Sequence, residues 1–301
     1  MYQPASDRPT AAARAAGLAC WDAPVKPVPL AGGLSNSNFT VEHGGRRYVV
    51  RIGEDVPEHA VWRFNEVSVA RAAHAAGLSP AVHHHEQGAM VLDLIADGHS
   101  LEPADVRVPE MLERVVDLVR RCHQQLPAHL EVPGPMFWVF NVNRRYARLI
   151  EREGGRLHER LPELMQWNDA CERMVGPIQP VFCHNDLLAA NLIDDGGRLW
   201  LIDWEYGGWN GGLFDLANLA SNNGFDENAE DRLLGLYFGG ASGPDERCRF
   251  EAMKAASLLR ETLWSLVAER HSHLAIDYVA YTEENLTRFE RALAALRPPA
   301  R

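Results

Sequence analysis

His184, Asp186, Asn191 and Asp203 are the residues whose types and intervals suit one chemistry. Transfer of a phosphoryl group needs little covalent help, so a protein must orient the attacking hydroxyl, accept its proton and hold magnesium against the phosphate oxygens. Asp186 is placed to orient and deprotonate the hydroxyl. Asn191 and Asp203 supply the hard oxygen ligands that magnesium prefers. Taken singly, an aspartate or asparagine in a loop is an ordinary turn residue; the four together define a catalytic constellation.

The surrounding chain reads as the frame that brings these residues together. Leu192-Ile193, the turn Asp194-Asp195-Gly196-Gly197 and the apolar run Leu199-Trp200-Leu201-Ile202 predict a β-hairpin that returns Asp203 beside Asn191. His184, Asp186 and Asn191 fit the kinase catalytic-loop pattern, and Asp203 stands where a kinase has its metal-binding aspartate. The usual Asp-Phe-Gly reads Asp203-Trp204-Glu205, and no Ala-Pro-Glu segment follows, which argues against a protein substrate.

With His184-Asn185-Asp186, Asn191, Ile202-Asp203-Trp204-Glu205-Tyr206 and Phe214-Asp215-Leu216-Ala217-Asn218, the chain resembles the choline and ethanolamine kinase branch of the aminoglycoside phosphotransferase superfamily. The resemblance covers most of the chain. It implies an α+β, protein-kinase-like fold in two lobes: a small β-rich N-lobe over 1–95 and a mainly helical C-lobe over 96–301. It further implies ATP with Mg2+ and phosphorylation of a small cationic, hydroxylated substrate. His184 then supports the loop. Asp215 either braces the loop from the next helix or caps its own helix.

Composition bounds the alternatives. With 301 residues and 46% hydrophobic content the chain can bury two modest cores, and a formal charge of −11 argues against a nucleic-acid partner. The five cysteines are scattered without Cys-x-x-Cys spacing, as in free thiols of a reducing cytoplasm. No apolar run is long enough to span a membrane, so a cytoplasmic location is the expectation.

From the start, an alanine-rich helix from Ala11 reads as an N-terminal decoration. Leu30 to Val41, the turn His43-Gly44-Gly45 and Arg47 to Ile52 form a hairpin signal, in which Gly32, Gly33, Ser35 and Asn36 let backbone amides approach ATP phosphates. They resemble the Gly-Gly-x-Ser-Asn opening of choline-kinase-like proteins. Arg51 occupies the strand position of the kinase phosphate-binding lysine, as in that branch, and Glu66 on the helix from Trp62 to Ala76 is its candidate partner; a surface charge on each is the plain alternative. Ala89 to Ile95 reads as a strand leading to the hinge, with adenine on backbone groups near Asp93 to Ile95. His83, His84 and His85 alternate across a strand and do not suit one metal ion. Helices are expected over Ala104 to Leu126, Phe137 to Leu149 and Leu161 to Val175.

The acceptor pocket must lie beyond Asp203. Ser257 to Ala268 and Ala275 to Phe289 resemble the C-terminal segments of choline kinases, where aromatic rings surround a quaternary ammonium. Trp264 and Tyr281 match positions of that pocket, and Glu205 adds a charge. A second tryptophan common in choline kinases is replaced by Glu261, which either selects a primary amine or a bulkier polar cation, or lies exposed beside Arg260. An aminoglycoside or sugar kinase on the same scaffold, and a non-catalytic nucleotide-binding regulator, are the competing readings.

Overall fold

The computed structural model describes residues 9–30, 36–241, 243–272 and 276–296. Helix α1 (Ala11–Ala16), capped by the Thr10 hydroxyl, leads into strands β1 (Val28–Leu30), β2 (Ser37–His43) and β3 (Arg46–Ile52). The β2–β3 turn places Gly44 at φ +58° and Gly45 at φ +73°, the left-handed pair that a tight hairpin needs and that glycine adopts without strain. Helix α2 (Arg63–Ala75) follows, then β4 (Val82–Glu86) and β5 (Ala89–Asp93). The five strands form an antiparallel sheet in the order β1-β2-β3-β5-β4.

Alternation along β2 and β3 turns Phe39, Val41, Tyr48, Val50 and Ile52 to the interior. Ala15 and Leu18 pack into this same cluster. Helix α1 is therefore part of the small lobe's core rather than a decoration, and Arg14 fastens it by donating to Glu54 Oε1 (2.6 Å) and to the Gln87 carbonyl (2.7 Å).

Beyond the sheet the chain is mainly helical. In order come β6 (His99–Ser100), α3 (Pro103–Val106), α4 (Pro109–Gln125), α5 (Val139–Glu153) and α6 (Leu161–Val175). The single helix expected over 104–126 is split at Arg107 and Val108, because Pro109 restricts the residue before it and restarts the helix at its own first turn. Strands β7 (Pro180–Cys183), β8 (Leu192–Asp194), β9 (Leu199–Leu201) and β10 (Gly208–Gly211) precede α7 (Gly212–Asn222), α8 (Glu227–Phe238), α9 (Pro244–His271) and α10 (Tyr278–Ala295). β8 and β9 form the expected hairpin, with Leu192 opposite Leu201, and β7 pairs with β10.

Helix α9 runs through the centre of the helical part, against α5, α6, α7 and α10. Its buried residues include Ser257, Arg260, Glu261, Thr262 and Ser265 among the leucines and alanines. Buried polar groups seek partners inside: Ser265 Oγ lies 2.7 Å from Thr282 Oγ1, and Asn218 donates to Ser257 Oγ at 3.1 Å. All five cysteines are free thiols, and no described helix is long and apolar enough to cross a membrane.

Candidate active site

The loop from His184 to Asn191 connects β7 to β8 and is held from below by α7. Asp215, buried on the first turn of α7, accepts the backbone N–H of His184 (2.9 Å) and of Asn185 (2.8 Å), and the ring N–H of His123 on α4 (3.0 Å). Burial alone pushes this carboxyl's pKa up, but the three donors outweigh it and hold it below the usual carboxylate range. Asn218, one turn on, accepts the Leu187 N–H at 2.6 Å. Asn223, at the end of the helix, accepts the Ala189 N–H (2.9 Å) and donates to the Leu187 carbonyl (3.1 Å). Asn185 itself takes a left-handed backbone at φ +67°, which asparagine tolerates better than most residues, and its amide spans to the Tyr206 carbonyl.

His184 ties this loop to the next strand. Its Nε2 donates to the Ile202 carbonyl at 2.8 Å, while Nδ1 accepts the Asp186 N–H at 3.3 Å, so the proton sits on Nε2. Ile202 donates in turn to the Asn191 carbonyl at 3.0 Å, and the Asn191 side-chain NH2 donates to the Asp186 carbonyl at 3.0 Å. Asp186 and Asn191 thus share one hydrogen-bonded frame with His184 and Ile202. That bond fixes the Asn191 amide with its oxygen left as an acceptor.

Asp203 has a left-handed backbone, φ +69°, directly after the hairpin. Its Oδ1 accepts from Arg51 Nη2 at 2.7 Å, which leaves Oδ2 for another partner. Burial raises the carboxyl's pKa, yet the Arg51 charge and hydrogen bond prevail and keep it low. Arg51 Nη2 also stands 3.0 Å from Glu66 Oε1, an ion pair made off the hydrogen-bonding axis. Burial would lower the Arg51 pKa, but Asp203 and Glu66 more than offset this and raise it. Glu66 Oε2 accepts from Arg63 (2.6 Å), and Arg63 reaches Glu205 (3.2 Å). Glu205, expected to face the acceptor, is thus partnered with α2, although it still borders the cleft. Asn191 and Asp203 both lie on the wall of one cleft, and each offers a hard side-chain oxygen, a donor set that fits magnesium.

That cleft has a volume of about 560 Å3 and includes Asn36, Asp186, Asn191, Asp203, Arg260, Glu261 and Trp264 on its walls. Asp186 Oδ1 accepts from Arg260 Nη1 at 3.0 Å. Burial raises the Asp186 pKa, Arg260 pulls it back, and Glu261 adds to the rise. The same Arg260 Nη1 donates to Glu261 Oε1, and Glu261 Oε2 accepts the Tyr281 hydroxyl at 3.0 Å. Glu261 is buried, so the exposed-helix alternative for it is overturned. Trp264 packs on His59 (ring centroids 5.3 Å apart), Tyr278 (6.0 Å) and Tyr281 (6.0 Å). Burial, reinforced by Arg260 and Arg145, pushes His59 down to about 3, so this ring adds no charge near neutrality.

Gly32, Gly33 and Ser35 lie outside the described residues. Asp93 and Ile95 are not on the wall of this cleft. The Asp93 N–H donates to the Ala81 carbonyl, its carboxylate pairs with Arg46 at 3.0 Å, and the Ile95 carbonyl accepts from Gly98. The segment is thus joined to the sheet and to its own turn through these groups. Sequence reasoning missed Arg260, Asn218, Asn223, Arg63 and His59. Asp215, Asn218 and Asn223 do recur at intervals that share one helix face, a signal once one asks what holds the loop.

Fold and site together define a kinase-like phosphotransferase, with its antiparallel sheet in the N-terminal part and its helices in the rest. Residues 26–251 match APH, the phosphotransferase enzyme family, and the chain belongs to that family. Protein LicA of Haemophilus influenzae is 26% identical over 266 residues, covering 84% of this chain and 76% of that protein. Ethanolamine kinase 2 of Mus musculus is 28% identical over 261 residues, covering 77% of this chain and 66% of its own length. Among solved structures, a choline/ethanolamine kinase family protein from Mesorhizobium loti aligns with a TM-score of 0.73 and 28% identity, over 93% of this chain and 90% of that one.

Proposed function

We propose that the protein transfers the terminal phosphoryl group of ATP to the hydroxyl of a small amino alcohol of the choline or ethanolamine type. The observation that carries this reading is a single cleft whose walls hold a candidate base, two hard oxygen donors and an acidic, aromatic-lined pocket. Asp186 accepts the hydroxyl proton and aims the oxygen; one of its carboxylate oxygens is held by Arg260, so the other is the one that meets the acceptor. Asn191 and Asp203 are the residues that would hold magnesium, which when bound neutralises charge on the phosphate oxygens. Arg51 keeps Asp203 ionised and positioned, and Glu66 positions Arg51. The names of the relatives supply the acceptor class: ethanolamine kinase 2 and the choline/ethanolamine kinase family protein are both similar over most of this chain.

The test is magnesium- and ATP-dependent ADP release against choline, ethanolamine, a kanamycin-type aminoglycoside, methylthioribose and thiamine. Turnover confined to the amino alcohols is the expected result. Turnover of the aminoglycoside or the sugar instead would move the protein to that kinase class. Nucleotide binding without ADP release on any acceptor would favour a regulator. The Asp186→Asn variant should lose about 10²- to 10⁴-fold in turnover while still binding nucleotide; near-normal turnover would remove Asp186 from the role of base.

A further inference from the structure

Arg260 is the unexpected member of the acceptor pocket. It sits on α9 with its side chain 3% exposed, and its guanidinium lies over the Tyr206 ring at 4.5 Å, so it is packed in place. One nitrogen, Nη1, serves two carboxylates: Asp186 Oδ1 at 3.0 Å and Glu261 Oε1. Two hydrogen bonds from one nitrogen keep those two oxygens within about 6 Å of each other.

The local charge is incomplete. Asp186 and Glu261 carry two formal negative charges against the single positive charge of Arg260, and the neighbouring His59 is neutral. Within this trio one formal negative charge is left unmatched, and a buried group of this kind is costly until its charge is matched. Glu261 is a directional acceptor, with lone pairs beyond those used by Arg260 and Tyr281. An ammonium that keeps an N–H uses them; a trimethylammonium does not. A hydroxyl and an ammonium on adjacent carbons lie about 3 to 4 Å apart, from bond lengths and staggered torsions, which suits two carboxylates held this close.

Building on the amino-alcohol reading above, we infer that Arg260 is a positioning residue that ties Asp186 to Glu261, and that the pair so held selects a short 1,2-amino alcohol whose nitrogen keeps at least one N–H over its quaternary analogue. Arg260 turns one oxygen of Asp186 away from the acceptor, which fixes the oxygen that meets the hydroxyl. It also orients Glu261, which receives the ammonium. The aromatic rings about Trp264 then close the pocket without being its main source of selectivity.

The experiment is a series of ethanolamine, N-methylethanolamine, N,N-dimethylethanolamine and choline, with kcat and KM measured for the full chain and for Glu261→Gln, Arg260→Lys and Arg260→Met. A charge-assisted hydrogen bond corresponds to roughly tenfold to a hundredfold, so kcat/KM should drop by that factor at the last methylation, where the N–H disappears. Glu261→Gln should shrink that drop about tenfold. Arg260→Lys keeps the charge and the fold but not the shared geometry, and should lower kcat at least tenfold with the KM for ATP unchanged; Arg260→Met should do the same if it folds. Choline used as well as ethanolamine by the parent protein, a Glu261→Gln variant with the same methylation drop, or an Arg260→Lys variant with parental kcat would each overturn the inference while leaving an amino-alcohol kinase in place. Failure of every amino alcohol, with another acceptor turned over, would overturn both.

Discussion

Replacing Asp215 by asparagine tests the loop support most directly, because shape is kept while charge and one acceptor are removed. In the parent, two backbone N–H groups and the His123 ring N–H converge on this buried carboxylate at 2.8 to 3.0 Å. An asparagine oxygen can still serve one side, but its NH2 then faces a donor. The bonds that survive change from charge-assisted to neutral, at about 1 kcal/mol each, and one buried N–H is stranded at about 1 to 3 kcal/mol. The total is about 3 to 5 kcal/mol, a large share of the stability of any domain. With an m-value near the top of the ordinary urea range, about 3 kcal/mol/M, the unfolding midpoint should fall by about 1 to 1.7 M. Turnover should fall as well, by about a hundredfold if the loop shifts by about 1 Å. Urea titration followed by tryptophan fluorescence, with kcat measured alongside, gives both quantities. An unchanged midpoint and an unchanged kcat would refute the account of α7 as the support of the loop.

Other outcomes follow from the same contacts. Asp203→Asn keeps a residue that tolerates the left-handed backbone and still accepts from Arg51, so its fold should persist while magnesium-dependent nucleotide affinity drops at least about tenfold; calorimetric titration showing parental affinity would exclude Asp203 as a metal ligand. Arg51→Lys replaces a planar fork between Asp203 and Glu66 by a point charge, and should lower kcat/KM for ATP about tenfold; a variant with parental kinetics would reduce Arg51 to a packing role. His59 remains neutral in the folded chain down to about 3, whereas in the unfolded chain it takes up a proton below about 6.5. Its contribution is therefore complete above about pH 6.5 and is lost as pH falls from there towards about 3, by up to about 1.4 kcal/mol per pH unit. Denaturation between pH 7 and 5 should show this slope, and His59→Gln should flatten it. A parent slope that survives His59→Gln would assign the effect to another group.

What could be read from the sequence is what depends on short-range geometry. Asp186, Asn191 and Asp203 lie on one loop and one hairpin, where a few intervening residues fix their relation, and Arg51 and Glu66 lie on consecutive elements joined by a short connection through Pro57–His59. Arg260 is 74 residues from Asp186, and an Arg-Glu neighbour pair on a helix has the look of a solvated surface. Only the burial of α9 on all sides reveals it. The hinge is hard to read for a different reason: adenine-type contacts use backbone groups, which leave no side-chain signature. Helix α1 was misjudged because its buried contribution is little more than Ala15, with Leu18 just past its end, too small a stripe to announce that it covers a sheet.

The guanidinium at position 51 bears on how this protein can be studied by chemical labelling. Reagents that acylate or reductively alkylate amines at nucleotide phosphates depend on a lysine there, and this chain has only two lysines, Lys26 and Lys254. Lys254 is held by Glu230 and Glu251 on the far side of the helical part, at 2.8 and 2.7 Å. Neither lysine is among the described residues on the wall of the cleft, so amine-directed probes lack a lysine handle there and a proteomic survey built on them would pass over this protein. Dicarbonyl reagents, which condense with arginine, are the covalent probes matched to Arg51, with protection by nucleotide as the sign that they have reached it.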